Sequence, residues 1–517
     1  MAAKVNLDAL IPRDDFEVQD NLGRSIGRSK TTMSVNDLKE GEFFFAALRK
    51  PDFQRETNEW GPDTICKLIE SFLGEDLIPA IILWRSAGSP IFVIDGSHRI
   101  SALAAWINDD YGDGDISRRF YETEIPPEQL KIAERTRTLI KKRVGLFKHY
   151  QNALADPQKY SPDIADKARN LGALAIQLQW VEGDARKAEA SFFSINQQGA
   201  PIDSTELRIL KSREKPHAIA ARAIVRSGKG HKYWSGFSGE NQLKIQEVAR
   251  EIHDMLFKPP FKTPVKTLDL PVGGKTYSAQ TLPLIFDFIT IVNPPPGNGE
   301  HKDDEAGSDT IDFLIKCKRV AERINSNHPS SLGLHPAVYF YSQTGRHKPA
   351  SFHAFTSLIL EFERRNFFKD FIKVREPFEK FLIEFDYFNQ QIVRKYRSAG
   401  ASYEHIKDFY LAIITKLLEG KSTDALLDEL LKEPRFSYLI KANDEVTPVG
   451  KDFSSATKSK AFLREALSNA LQCRICGGYM HTNSISIDHI TRKADGGSGT
   501  VENAQLAHLF CNTTVKH

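Results

Sequence analysis

The sequence predicts an α+β, predominantly helical protein with an N-terminal α/β domain, a central helical domain and a small strand–strand–helix domain at the C-terminus. Three observations carry this prediction. Between about residues 40 and 110, short apolar runs bounded by Pro, Gly and Ser alternate with segments of helical period. From about 240 to 440, apolar residues recur at helical spacing and many of them are Phe. The last 45 residues, Cys473 to His517, hold two Cys/His pairs around a strand-like segment and have little apolar content of their own.

At 517 residues the chain exceeds one ordinary core, and two to four domains are expected. The expected divisions are a loosely packed lead-in (1–40), an α/β domain (41–235), a helical domain (236–441), a linker (442–460) and the C-terminal module (461–517). Hydrophobic content of 41% and charged content of 26% are those of a globular chain. No run of about 18 apolar residues predicts a membrane span, and Met1 to Asn6 lacks the apolar stretch of a secretory signal. Three of the five cysteines cluster near the C-terminus, which suits a reducing cytoplasm with one metal site. The net charge of +3 is too small for a protein that coats nucleic acid, so DNA contact is expected through local patches.

In the α/β part, Asp63 to Leu73 is a helix with apolar residues at 65, 68, 69, 72 and 73. Ile78 to Trp84 and Pro90 to Ile94 are strands, the turn Asp95-Gly96-Ser97 follows, and a helix runs from Arg99 to Ile107. A strand, a glycine turn and a helix N-terminus together suit an anion. Residues 115–190 look largely helical. A basic stretch from Arg208 to Lys232, ending in Tyr233-Trp234, suits nucleic acid or a solvated helix face equally. Asn293 to Asp309 is a loop, and Lys460 to Leu471 a short helix. Asp269 to Thr276 ends like a phosphate loop, but its first glycine is missing and Pro271 breaks it.

The C-terminal pairs are Cys473-x2-Cys476 and His508-x2-Cys511, 31 residues apart. Zinc takes four tetrahedral Cys or His ligands, and a two-residue gap lets each pair grip one ion from a tight turn. Inside the cage, Ser484 to Ile487 alternates like a strand that Asp488-His489 ends, and Val501 to Phe510 is expected to be a helix. Asp488 and Asn512 are then able to converge from the strand end and the helix end. A carboxylate and an amide oxygen suit Mg²⁺ or Mn²⁺. A neighbouring imidazole can take a proton from water near neutral pH.

Cys473-Arg474-Ile475-Cys476, Ile487-Asp488-His489-Ile490, Asp495-Gly496-Gly497, Glu502-Asn503-Ala504-Gln505-Leu506 and Cys511-Asn512 resemble the HNH endonucleases of the zinc-bearing ββα-metal type. The resemblance implies His489 as general base, Asp488 and Asn512 as ligands of a catalytic divalent metal, and Asn503 as the residue that orients His489. It also implies a structural zinc cage of Cys473, Cys476, His508 and Cys511. His508 stands where a cysteine is commoner, and Asn512 where many members have histidine.

Three upstream fragments belong together: Pro51 to Arg55, Val93 to Arg99, and Phe192 to Leu207, which contains Asn196. Their order and spacing resemble the GmrSD-type, ParB/sulfiredoxin-like N-terminal domain of type IV restriction systems. The resemblance implies nucleotide binding or hydrolysis around Asp95, Gly96, Ser97, His98 and Arg99, with Gln54, Arg55 and Asn196 nearby. Ser97-His98 stands where that family usually has two glutamines, which leaves hydrolysis open. By their chemistry, Arg55 and Arg99 offer forked donors to a phosphate, on a nucleotide or on a DNA backbone.

The favoured expectation is a cytoplasmic, phage-defence endonuclease acting on double-stranded, modified DNA, with structural zinc, catalytic Mg²⁺ or Mn²⁺, and an NTP as candidate effector. The competing expectation is a non-cleaving, ParB-like nucleotide switch with a zinc module as DNA clamp. A toxin of a toxin–antitoxin pair is a third. Homo-oligomerisation is left open by all three.

Overall fold

The computed structural model describes residues 4–516, except 15–29, 52–53, 55–56, 87–89, 122–124, 126, 184, 199–203, 230–231, 277–279, 298 and 442–452. Most of the expected linker therefore lies outside the described residues. The chain forms two compact units. The first comprises Met1–Arg213 with Lys229–Tyr233 and Tyr277–Gln280, and the second comprises Glu214–Gly228, Trp234–Thr276 and Thr281–His517.

The first unit is built on a six-stranded mixed sheet. Its strands are β1 (Arg13–Asp14), β2 (Thr32–Ser34), β3 (Leu48–Pro51), β4 (Ile81–Arg85), β5 (Ile91–Asp95) and β6 (Ala175–Val181), in the spatial order β1-β3-β5-β4-β6-β2. β4 and β5 form an antiparallel hairpin, β3 and β6 flank it in parallel pairings, and β2 closes the far edge antiparallel to β6. Both faces of the hairpin are covered, which explains why Ile91 to Ile94 is a continuous apolar run. Ile81, Leu83, Ile91 and Val93 enter a large core with Ile65 and Ile69 of the helix Pro62–Leu73 and Ile100 and Leu103 of the helix Ser97–Asn108. Trp84, Phe92 and Ile94 turn the other way, onto Ala188 and Phe192 of the helix Ala185–Gln198.

The lead-in is not loosely packed where it is described. Val5, Leu7, Leu10 and Ile11 are buried in the large core, and β1 and β2 form the two edges of the sheet. Strands of two and three residues carry no periodicity, so only their partners reveal them. β6 likewise interrupts the segment expected to be helical, because it supplies the pairing partner of both β4 and β2.

The turn between β5 and the helix Ser97–Asn108 depends on Gly96, which has φ +98°. A Cβ there would lie 2.4 Å from Ile81 Cδ1. Gly96→Ala should cost at least about 1–2 kcal/mol from backbone strain alone. A fall in melting temperature by calorimetry checks this, and an unchanged value rejects it.

The second unit is helical. Among its helices are Pro216–Val225, Gly239–Phe257, Thr281–Val292, Ser308–Ile324, Pro349–Arg365, Arg375–Glu384 and Ala399–Leu418. Their core is aromatic: Phe352, Phe355, Phe378 and Tyr410 are buried, and Tyr339 meets Phe355 edge-on with ring centres 4.8 Å apart. No described helix is long and apolar enough to cross a membrane. The C-terminal module packs within this unit, beginning with the helix Ser455–Ser468, whose Ser459 hydroxyl accepts the Val265 amide at 3.0 Å.

Burial pushes the imidazoles of His335, His347 and His481 down to about 3, about 4 and about 4, from an ordinary value of 6.5. Below that ordinary value the unfolded chain takes up protons that the folded unit refuses. Their contribution is therefore complete above about pH 6.5 and is lost as the pH falls toward 4. The melting temperature should drop over that window. His347→Gln, which can still donate to the Val272 carbonyl now 2.9 Å from Nε2, should flatten the slope. An equally steep fall in the variant would rule out this imidazole as a cause.

Candidate functional site

The first Cys pair sits on a tight turn. The Cys473 amide donates to Gly478 O and the Gly477 amide donates to Cys473 O, both at 2.9 Å, and Gly477 takes φ +69°. The second pair follows a short strand, and its Cys511 opens a single helical turn, Cys511–Val515. The ligand atoms of Cys473, Cys476, His508 and Cys511 all lie within 4.8 Å of one another, and all four residues are buried. His508 Nδ1 is 3.4 Å from Cys476 Sγ and 4.0 Å from Cys511 Sγ. Tetrahedral zinc would space such atoms by roughly 3.5–3.8 Å. His508 Nε2 lies 3.0 Å from Tyr479 O, to which it can only donate, so Nδ1 presents its lone pair to the cage. The thiols oppose one another: hydrogen bonds from Cys476 and Cys511 hold Cys473 far below the usual thiol range, and bonds to Cys473 push Cys476 up to about 12. A central divalent cation would let all three ionise, so the donor set fits zinc.

The inner motif lies on a two-stranded antiparallel hairpin, β7 (Ser486–His489) and β8 (Ala504–Ala507), with Asp488 opposite Gln505 and His489 opposite Ala504. Asp488-His489 ends the strand, as the sequence predicts. The helix expected over Val501–Phe510 is absent: a short turn, Val501–Asn503, leads into β8. β7 needs a pairing partner, and this segment supplies it, overriding local propensity.

Asp488 is 4% exposed and its Oδ2 accepts from Gln505 Nε2 at 2.7 Å and Lys516 Nζ at 2.8 Å. Burial alone would push its carboxyl up, but the bonds from Lys516 and Gln505 outweigh this and hold it below the usual range. Lys516 also donates to the carbonyls of His489 and Ile490. Asn512 donates to Ser486 Oγ at 3.2 Å and Ile487 O at 3.4 Å. Ser486 and Asp488 are two apart on a strand and share a face, so Asn512 and Lys516 lie over the same face of β7. His489, the next residue along β7, is half-buried.

Asn503 works through the backbone. Its Oδ1 accepts from the Thr491 amide at 2.7 Å, and its Nδ2 donates to Thr491 O at 3.1 Å and Ser498 O at 2.7 Å. It therefore fixes the loop that leaves His489. Gly497 is obligatory there, since a Cβ would lie 1.8 Å from Thr491 O. Gln505, quoted in the motif, and Lys516 were given no role from sequence; cross-strand register identifies that of the first, and only the folded terminal turn reveals the second.

In the first unit, the Asp95–Arg99 segment and Gln54 meet at the C-terminal end of β5. Arg99 pairs with Asp95 and donates to Pro79 O at 3.2 Å. Gln54 is buried, with Nε2 3.5 Å from Ile94 O. Ser97 is buried at the first turn of its helix, and the His98 ring lies 5.6 Å from that of Trp60. Arg55 and the side chain of Asn196 lie outside the described residues. Beneath Gln54 is a buried polar cluster that no local pattern announced. Asp8 accepts from Arg13, from Lys50 at 2.6 Å and from the Thr57 amide at 2.9 Å, while Arg13 donates to Gln54 O.

The basic stretch is not a continuous nucleic-acid face, since Arg222 and Trp234 are buried. Nor does Asp269–Thr276 form a phosphate loop: among the described residues the next helix is Thr281–Val292, and Asp269 accepts from Thr482 at 2.6 Å.

Residues 34–212 match the GmrSD restriction endonuclease, N-terminal domain, and residues 473–517 match the HNH endonuclease family. Neither a curated protein nor a solved structure matches the chain. With the β7–β8 hairpin, its Cys3His cage and the mixed sheet upstream, the chain joins a GmrSD-type N-terminal domain to a C-terminal HNH endonuclease domain.

Proposed function

We propose that this chain is a metal-dependent DNA endonuclease of a phage-defence restriction system that acts on modified double-stranded DNA. The observation that carries the reading is the buried, ionised Asp488 on β7 beside His489, with Asn512 over the same face. Asp488 and Asn512 would hold Mg²⁺ or Mn²⁺, a fit favoured by their oxygen donors and by the cation, Lys516, that Asp488 already accepts. When bound, the ion supplies positive charge for the scissile phosphate and its leaving oxygen.

The rest of the chemistry belongs to side chains. His489 takes the proton of the attacking water. Asn503 positions His489 by clamping the Thr491 and Ser498 backbone behind it. Gln505 and Lys516 keep Asp488 ionised. In the first unit, the Asp95–Arg99 turn with Gln54 is the proposed nucleotide or DNA sensor, and a phosphate there would draw Arg99 from Asp95. The five described cysteines are free, which supports a reducing cytoplasm.

Plasmid cleavage with Mg²⁺ or Mn²⁺ tests the base. His489→Ala should cut at least about 100-fold more slowly than the parent, and equal rates would reject the assignment. Cleavage of unmodified and modified phage DNA, with and without each NTP, tests the sensing role. Modified DNA should be cut faster, and NTP should change the rate. Equal cutting of all substrates would remove modification dependence while leaving the nuclease intact.

A further inference from the structure

Arg375 is the most deeply buried cation near the metal cage, and it does not come from the module that makes the cage. It opens the helix Arg375–Glu384 and is 0% exposed. Its Nη1 lies 3.3 Å from His508 Nδ1, the atom that faces the cage, and it is close enough to Cys476 and Cys511 to feel their charge. Its remaining donors are held: Nε donates to Glu379 Oε1 at 2.7 Å, Nη1 to Leu332 O and Nη2 to Gly333 O at 2.9 Å. A guanidinium anchored on three sides is fixed in place by its own helix and loop.

The cage turn is shaped to receive it. A Cβ at Gly478 would lie 2.5 Å from Arg375 Nε, and a Cβ at Gly333 would lie 2.7 Å from His508 Cδ2. Glu379 completes the seam: Oε2 accepts the Tyr479 amide at 2.6 Å and Oε1 accepts the Tyr339 hydroxyl at 2.7 Å. The Tyr479 carbonyl in turn accepts from His508 Nε2.

Charge gives the arrangement its purpose. A zinc ion with three thiolates and a neutral imidazole carries a net charge of −1. A buried anion needs a partner. Arg375 stands between that anion and Glu379, and both draw on one positive charge.

We propose that Arg375 is the counter-ion of the Cys473/Cys476/His508/Cys511 cage, so that holding zinc is a property of the second unit and not of the C-terminal module alone. The helical domain thereby completes the metal site. The cutter reaches its zinc-bound form only on a folded helical domain, and loss of that domain's structure releases the metal.

The proposal separates two variants. Arg375→Met, which removes the positive charge, should bind zinc roughly 10–100-fold more weakly. Glu379→Gln, which frees that charge for the thiolates, should hold zinc at least as tightly as the parent even though it loosens the seam. Zinc-loaded full-length proteins are titrated with a chromogenic chelator, and near-UV circular dichroism reports folding. Unchanged zinc affinity in Arg375→Met would overturn the proposal. So would a loss of zinc by Glu379→Gln equal to that of Arg375→Met, since a purely structural seam weakens both alike. If Arg375→Met does not fold, Glu379→Gln decides the case alone: tighter or equal binding supports the counter-ion, and weaker binding rejects it.

Discussion

A segment of 45 residues cannot bury enough apolar surface to fold by itself, and the architecture of the C-terminal module follows from that shortage. Several of its apolar residues on and near the hairpin face outward: Ile487, Ile490 and Val501 are 62%, 53% and 84% exposed. Besides Met480, Ala507 and Phe510, what is buried is polar chemistry: the four Cys/His ligands, His481, Ser484 and Asp488. The module is therefore closed by directional bonds, through its thiols and imidazole and through the Arg375–Glu379 seam. Gly333, Gly477 and Gly478 let the backbone lie close against the side chains of His508, Glu376 and Arg375.

The same economy shapes the proposed reacting centre. Strand β7 offers Ser486 and Asp488 about 6–7 Å apart on one face, and the terminal turn offers Asn512 and Lys516 to meet them. A single helical turn sets the register of the site because the hairpin already fixes the other side. Asp488 is held charged by its neighbours despite burial, which suits the cation proposed for it.

Much of this was legible in the sequence where the relation is local. The Cys-x2-Cys and His-x2-Cys spacings, the Asp95-Gly96 turn, and the helices Pro62–Leu73 and Ser97–Asn108 all depend on neighbours a few residues away. The apolar run of β5 announced a strand covered on both faces. Features that depend on distant partners were silent. β2 exists because Met33 meets Ile176, and β8 because Asp488 needs Gln505 opposite. Arg222 looked like part of a basic patch until its helix proved to be buried throughout. Lys516 and Arg375 are ordinary cations in the sequence, and only the folded chain places one on Asp488 and the other on His508.

The Asp95–Arg99 pair bears on the sensing role proposed for the first unit. Arg99 is already engaged by a carboxylate four residues away, so any anion arriving at this turn competes with a resident one. A singly charged group would gain little by the exchange, whereas a polyphosphate offers several negative charges at once. For the proposed anion site, the pair would thus set a threshold of charge density, below which the turn stays latched and above which Arg99 changes hands.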